Sequence, residues 1–347
     1  MLHHGKNKRN LLSGLFTAQR RILLTAVIIL SIGAPLLIGG QTTLHLLASL
    51  SQTSLIILLL LLVMKWGLNT LRCQLLFRAN GIRFRNTETL AMIWLYDAAS
   101  ESTPGGLGGP IAGWALLRHR QIPTTTIAGL GLLILTADII AIMTLILWAL
   151  LVTTFMHQQS EHWQIMAVLI ATMLALALLW ILLRYRRELI RYVGRLRSTL
   201  GLGKQRSIGP VRLWLRMGQT VERMAQLPHL SLLIIVLASV GHWCCRLSIL
   251  YLAILALGQH VAWTDTFIIQ LCSGLTGMMV GLPGGFLGAD LTMTALLLPL
   301  MDPKAIATVI LLWRLMTFHI TLLVGGLSFT WLAGRLLPSA GRQSTEN

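Results

Sequence analysis

The sequence predicts an all-α, polytopic integral membrane protein of about six spanning helices, with two further Pro-Gly-Gly segments that enter the bilayer and turn back. Three observations predict it. Mean hydropathy is +0.74, with 55% hydrophobic and only 11% charged residues, a balance that cannot cover a water-soluble surface. Several apolar stretches reach the roughly 20 residues that a helix needs to cross a hydrocarbon core. The net charge of +17 lies between those stretches, where it sets topology.

The expected spans are residues 22–40, 54–71, 126–152, 164–183, 229–257 and 305–333. Each must be a helix, because a backbone facing lipid has to satisfy its own N–H and C=O groups and no barrel-type alternation is present. Lys6, Lys8, Arg9, Arg20 and Arg21 precede the first span, which is too long for a signal peptide and lacks an A-x-A site. Residues 1–21 therefore read as a cytoplasmic basic segment and 22–335 as one membrane domain. The loop 184–228 carries eleven Lys and Arg between Arg184 and Arg223, against Glu188 and Glu222. A loop so basic stays in the cytoplasm and attracts anionic lipid headgroups. No fold or aromatic interleaving accompanies these arginines, so nucleic acid is excluded as a partner.

With basic loops inside, the first span leaves the cytoplasm, and the second returns to a loop holding Arg72, Arg78, Arg83 and Arg85. Residues 90–117 then form an apolar, broken segment ending in Arg118, His119 and Arg120. Both its ends lie inside, so it is re-entrant. The third and fourth spans go out and back around Glu161. The fifth leads to His260 and Asp265, and residues 266–300 form a second broken segment with both ends outside. The last span returns Arg335 and the tail 336–347 to the cytoplasm. Both termini are thus expected in the cytoplasm.

The two broken segments match. Pro104, Gly105, Gly106 and Gly108 correspond to Pro283, Gly284, Gly285 and Gly288, and Pro123 and Pro303 follow at 19 and 20 residues. The first repeat covers about 54–152 and the second about 229–335, in opposite orientation. Such inverted repeats place binding sites where discontinuous helices meet at the midplane. Glycines at every fourth position (Gly105, Gly109, Gly113; Gly277, Gly281, Gly285) equally suit close helix packing without a pathway.

Ionisable residues inside spans are costly and face the protein interior. Asp97 and Glu101, one helical turn apart, precede the first Pro-Gly-Gly on one face. Asp290 follows the second, and Arg314, in the next span, is placed to pair with it or to take a phosphate on its planar fork. Asp138 sits on a face nearly equivalent to that of Arg314, as a hydrogen-bonding or a substrate-binding group. Lys65 reads as a snorkelling residue near its span's inner end. His242 and Arg246, at i and i+4, share a face. His319 reads as a satisfied interior histidine. Cys73, Cys244, Cys245 and Cys272 lie in or beside apolar runs without C-x-x-C spacing, so no metal, cofactor or disulfide framework is expected. No Walker, H-E-x-x-H or G-x-S-x-G motif is present, and a transporter is expected rather than an enzyme.

Leu282 through Asp290, then Leu311, Leu312, Trp313 and Arg314, then Gly325 and Gly326, resemble the lysylphosphatidylglycerol synthase transmembrane-region family, whose pattern is Pro-x-Gly, a nearby acid and an Arg in the next span. Thr103 to Gly108 resembles the family's first motif, and Asp138 falls near its acidic position. The likeness covers roughly residues 20–335. Members carry Glu and Arg directly after the first glycine motif, where this chain has Gly109, Pro110, Ile111 and Ala112, and Asp290 stands where Glu is more usual. The resemblance implies lipid translocation, with a phospholipid, glycolipid or polyprenyl-linked lipid as substrate, or a scaffold role beside a lipid-modifying or glycosyltransferase enzyme. The aminoacyltransferase domain of larger members has no counterpart in the sequence, so lipid synthesis by this chain is not expected.

Overall fold

The structure, a computed structural model, describes residues 18–156 and 227–336. The expected span 164–183, the basic loop to residue 226, most of the N-terminal segment and the tail from residue 337 lie outside these. Every element among the described residues is helical. In chain order they are α1 (Ala18–Ala48), α2 (Gln52–Ala79), α3 (Asn86–Glu101), a 3-10 turn (Pro104–Gly106), α4 (Gly108–His119), α5 (Thr124–Met156), α6 (His229–Ala256), α7 (Trp263–Val280), a second 3-10 turn (Pro283–Gly285), α8 (Gly288–Leu297), α9 (Pro303–Arg314), a π turn (Leu315–His319) and α10 (Ile320–Leu336). Among these residues, five stretches are long and apolar enough to cross a membrane: Ile22–Ala48, Gln52–Ala79, Thr124–Ala149, His229–Ala256 and Ala305–Gly334. They cover the five described spans that hydropathy predicts. Pro123 and Pro303 open α5 and α9, where a missing N–H leaves nothing unsatisfied.

Packing divides the described residues into two compact units. The first holds residues 18–60, 94–109 and 247–336. Its apolar core runs from Leu250 and Ile254 on α6 through Met293 and Leu297 on α8 to Ile306, Val309 and Ile310 on α9. Both Pro-Gly-Gly turns belong to this unit and pack against each other. In each, the residue before proline is extended, as a following proline ring demands (Thr103 ψ 148°, Leu282 ψ 153°). The next residue is a left-handed glycine, Gly105 at φ 63°, ψ 14° and Gly284 at φ 60°, ψ 15°. Two turns about 180 residues apart thus share one backbone conformation, which a side-chain-bearing residue would strain.

Each turn reverses the chain into a helical hairpin. α7 and α8 run back along one another, with the Thr292 hydroxyl donating to that of Thr276 at 2.8 Å. The first residue of each return arm is a glycine with no room for a side chain. A Cβ on Gly108 would stand 2.2 Å from the Ala99 carbonyl oxygen, and one on Gly288 2.5 Å from that of Thr276. These glycines therefore let the two arms touch backbone to backbone, and of the fourth-position glycines Gly277 and Gly285 do the same, a Cβ on either standing 3.0 Å from the other's Cα.

The second unit holds residues 61–93, 110–156 and 227–246. A polar seam runs through it. On α2 it comprises Lys65, Asn69 and Arg72, one face of a helix and all less than 9% exposed. Ser239 and His242 on α6 are likewise buried, and Asp138 on α5 joins them. Lys65 is therefore an interior residue rather than a snorkelling one. Its backbone carbonyl accepts from His242 Nδ1 at 3.1 Å.

Candidate functional site

The second hairpin carries a buried ion pair at its turn. Arg314, the last residue of α9, points its fork at Asp290 in the first turn of α8. Nε donates to Oδ1 at 2.7 Å and Nη2 to Oδ2 at 2.9 Å, while Nη1 donates to the Gly284 carbonyl at 2.6 Å. The guanidinium lies over Trp313 and Phe318, 5.1 and 5.8 Å from their ring centres. Such bidentate geometry makes a strong charge-assisted pair. Removing either charge from so dry a place would strand the other.

Asp290 has a second task. Leu287, at φ 65° and ψ −55°, occupies a backbone region that a branched side chain resists. The tight turn there is closed by Gly288 N–H donating to the Phe286 carbonyl at 2.9 Å. Leu287 N–H donates to Asp290 Oδ2 at 3.2 Å. One carboxylate therefore holds both the arginine and the strained residue that starts the return arm.

The pair is unevenly covered. The Arg314 side chain is 1% exposed and that of Asp290 18%. The carboxylate is thus the more open member of the pair, and the guanidinium lies behind it.

Directly after Arg314 the helix widens by one residue into a π turn, in which Ile320 N–H donates to the Leu315 carbonyl. His319 Nδ1 lies 3.1 Å from the Arg314 carbonyl oxygen, which can only accept, so this nitrogen carries a proton. Its Nε2 is 3.1 Å from the Ser31 hydroxyl on α1. π turns recur at functional sites because they free local backbone for other partners. Trp313 Nε1 donates to Gln270 Oε1 at 3.2 Å, tying α9 to α7.

Of the five acids and bases predicted, the structure joins Asp290 and Arg314. Asp97 and Glu101 are half-buried on α3, the arm that leads into the first turn. On that arm, a Cβ at Gly325 of α10 would stand 2.1 Å from the Cβ of Ala98. Asp138 belongs to the second unit, where Oδ1 accepts from Arg72 Nη1 and from Trp243 Nε1, the latter at 2.8 Å. Arg72 also donates through Nε to Asn69 Oδ1 at 2.7 Å and lies 3.4 Å from Ser239.

Arg72 corrects the sequence reading, which places it in a cytoplasmic loop. It is a buried residue of α2, which continues to Ala79. Hydropathy ends the span where charges begin to recur, at Arg72 and Arg78, whereas the helix ends where its hydrogen bonds do, at Ala79. The i, i+4, i+7 spacing of Lys65, Asn69 and Arg72 was the available signal. The π turn and its histidine leave no comparable mark. Among the described residues no group of His, Cys, Asp and Glu is placed to hold a metal ion.

Residues 21–325 match the family model described as the lysylphosphatidylglycerol synthase TM region. Comparison with curated proteins gives no match. The apolar helices and this match together make the chain a multi-pass membrane protein with a lipid-related setting.

Proposed function

We propose that this chain, which belongs to the lysylphosphatidylglycerol synthase transmembrane-region family, is a transporter that moves a phospholipid, glycolipid or polyprenyl-linked lipid between the leaflets of a bacterial inner membrane. In this reading residues 90–117 and 266–300 are re-entrant hairpins of an inverted repeat, entering from opposite sides with both termini cytoplasmic. The observation that carries it is the meeting of the two Pro-Gly-Gly turns beside the Arg314–Asp290 pair. Broken backbone at membrane depth persists only where protein buries it or a water-filled path lines it, and a paired charge there marks a substrate path.

The pair supplies a way to couple binding to movement. A lipid phosphate offers the same two acceptor oxygens as Asp290, so the guanidinium exchanges one anion for the other without ever lying bare. Once released, Asp290 still accepts from Leu287 N–H, but the start of α8 has lost its tie to α9. Lipid binding thereby frees the second turn to move against α9.

Leaflet exchange of fluorescent phospholipid in proteoliposomes tests the proposal. Arg314→Ala is expected to lower the rate about tenfold or more, and exchange that proceeds unchanged sinks the role of the pair. Asp290→Asn keeps the shape but weakens the hold on Arg314, so it is expected to bind anionic lipid more tightly while exchanging it more slowly.

A further inference from the structure

The helix α1 is built in two halves around a break. Gly40 has φ 52° and ψ −134°, a conformation open in practice to glycine alone. Five residues earlier Pro35 lacks the N–H that would bond the Ser31 carbonyl. The stretch between them is therefore the weakest part of the helix, and the two halves are anchored separately.

The half after the break is fixed to α9. Thr43 and Thr308 are both fully buried, and their hydroxyls are hydrogen-bonded at 3.2 Å. Leu46 packs on the core that contains Ile306, Val309 and Ile310. The half before the break lies over the functional turn. Leu24, Val27 and Ile28 cover Leu282, Phe286, Phe318 and Leu322, and Ser31 meets His319. Phe318 is the ring over which the Arg314 guanidinium lies.

This cover is lightly held. In its most apolar window α1 is 17% buried, against 61% for the span made by α9, the π turn and α10. Its outer face is apolar: Ile29, Leu30, Leu37 and Ile38 are exposed. An element with few buried contacts lies at the low-stability end of a structure.

We propose that residues 18–39 form a lateral gate that swings on the Pro35–Gly40 break, and that the surface beneath is the entry site for a lipid. That surface has the chemistry of an amphiphile. Phe286, Phe318, Leu282 and Leu322 take an acyl chain, while His319, freed from Ser31, meets the headgroup. The proposal rests on the transport reading above and names its route of entry.

A reversible clamp tests it. Ser31→Cys, in protein whose Cys73, Cys244, Cys245 and Cys272 are replaced by Ser, sets a thiolate against His319 Nε2. Cadmium bound between them pins the front half of α1 to the π turn, as thiolate-to-metal absorption reports. Lipid exchange is expected to fall at least about tenfold with cadmium, to return with EDTA, and to ignore cadmium when His319→Gln removes the second ligand. Bound cadmium with undiminished exchange overturns the gate and leaves the transport reading standing. If no form of the protein exchanges lipid, the transport reading fails, and spin labels at the exposed Leu30 and Leu323 decide the gate alone. Two distance populations that cadmium collapses to one support it, and a single unchanging distance overturns it.

Discussion

The two Pro-Gly-Gly hairpins share a backbone as far as their glycines, then part, Leu107 being helical (ψ −21°) where Phe286 is extended (ψ 146°), and they differ in how the turn is held. In both, an extended residue before proline, a left-handed glycine and a glycine-tight return arm recur. The first turn is closed by a hydroxyl: Thr103 Oγ1 accepts from Gly108 N–H at 2.7 Å and donates to the Ala99 carbonyl at 2.8 Å. The second is closed by a carboxylate, itself gripped by an arginine from another helix. A hydroxyl bonded to its own arm fixes local shape. The charged latch ties the turn to a distant element, α9.

Substitutions at four positions probe this difference, beginning with the one of greatest effect. Arg314→Ala should destabilise the protein by about 3 kcal/mol or more, because it strands the Asp290 carboxylate and the Gly284 carbonyl. A thermal melt in detergent measures it, and Arg314→Lys should recover part of the loss. Alanine at the two equivalent glycines should then separate the turns. At Gly105 only the left-handed backbone resists, about 1 kcal/mol, since a Cβ there meets nothing within 4 Å. At Gly284 a Cβ would also stand 2.6 Å from the Phe318 ring and 3.2 Å from Arg314 Nη1, so Gly284→Ala should cost more than twice as much. Equal losses would show that the second turn is free to shift. Thr103→Val should cost about 2 kcal/mol, about 1 for each of two neutral hydrogen bonds, and leave lipid exchange within about twofold, as unfolding and proteoliposome assays can check.

The hairpins were legible in sequence because proline and glycine act through the backbone at the place they occupy. Pro104, Gly105, Pro283 and Gly284 fix their turns with little help from anything distant. The pairing of Asp290 with Arg314 was legible because Asp290 follows the second turn and Arg314 lies in the next span, within reach of it. Arg72 was hidden: a charge in a hydropathy window counts against the helix, although a buried partner such as Asp138 reverses its meaning. The break at Gly40 falls where hydropathy ends the first span, because Gln41, Thr42 and Thr43 follow it. What was hidden is that the helix resumes to Ala48, held by different neighbours from those of its first half.

The π turn also sets the register of the last helix. One residue more than an α-helical turn needs advances every later side chain by about 100° around the axis. Gly325 meets Ala98 and the Trp94 carbonyl where no larger residue fits. Were the same sequence to wind as unbroken α-helix, another face of α10 would be offered to α3, and a leucine or valine would be driven at that backbone. A bulge that migrated along the helix would turn the residues it passed like a screw thread. It would then make or break the seating of the first hairpin's arm while keeping the helix hydrogen-bonded.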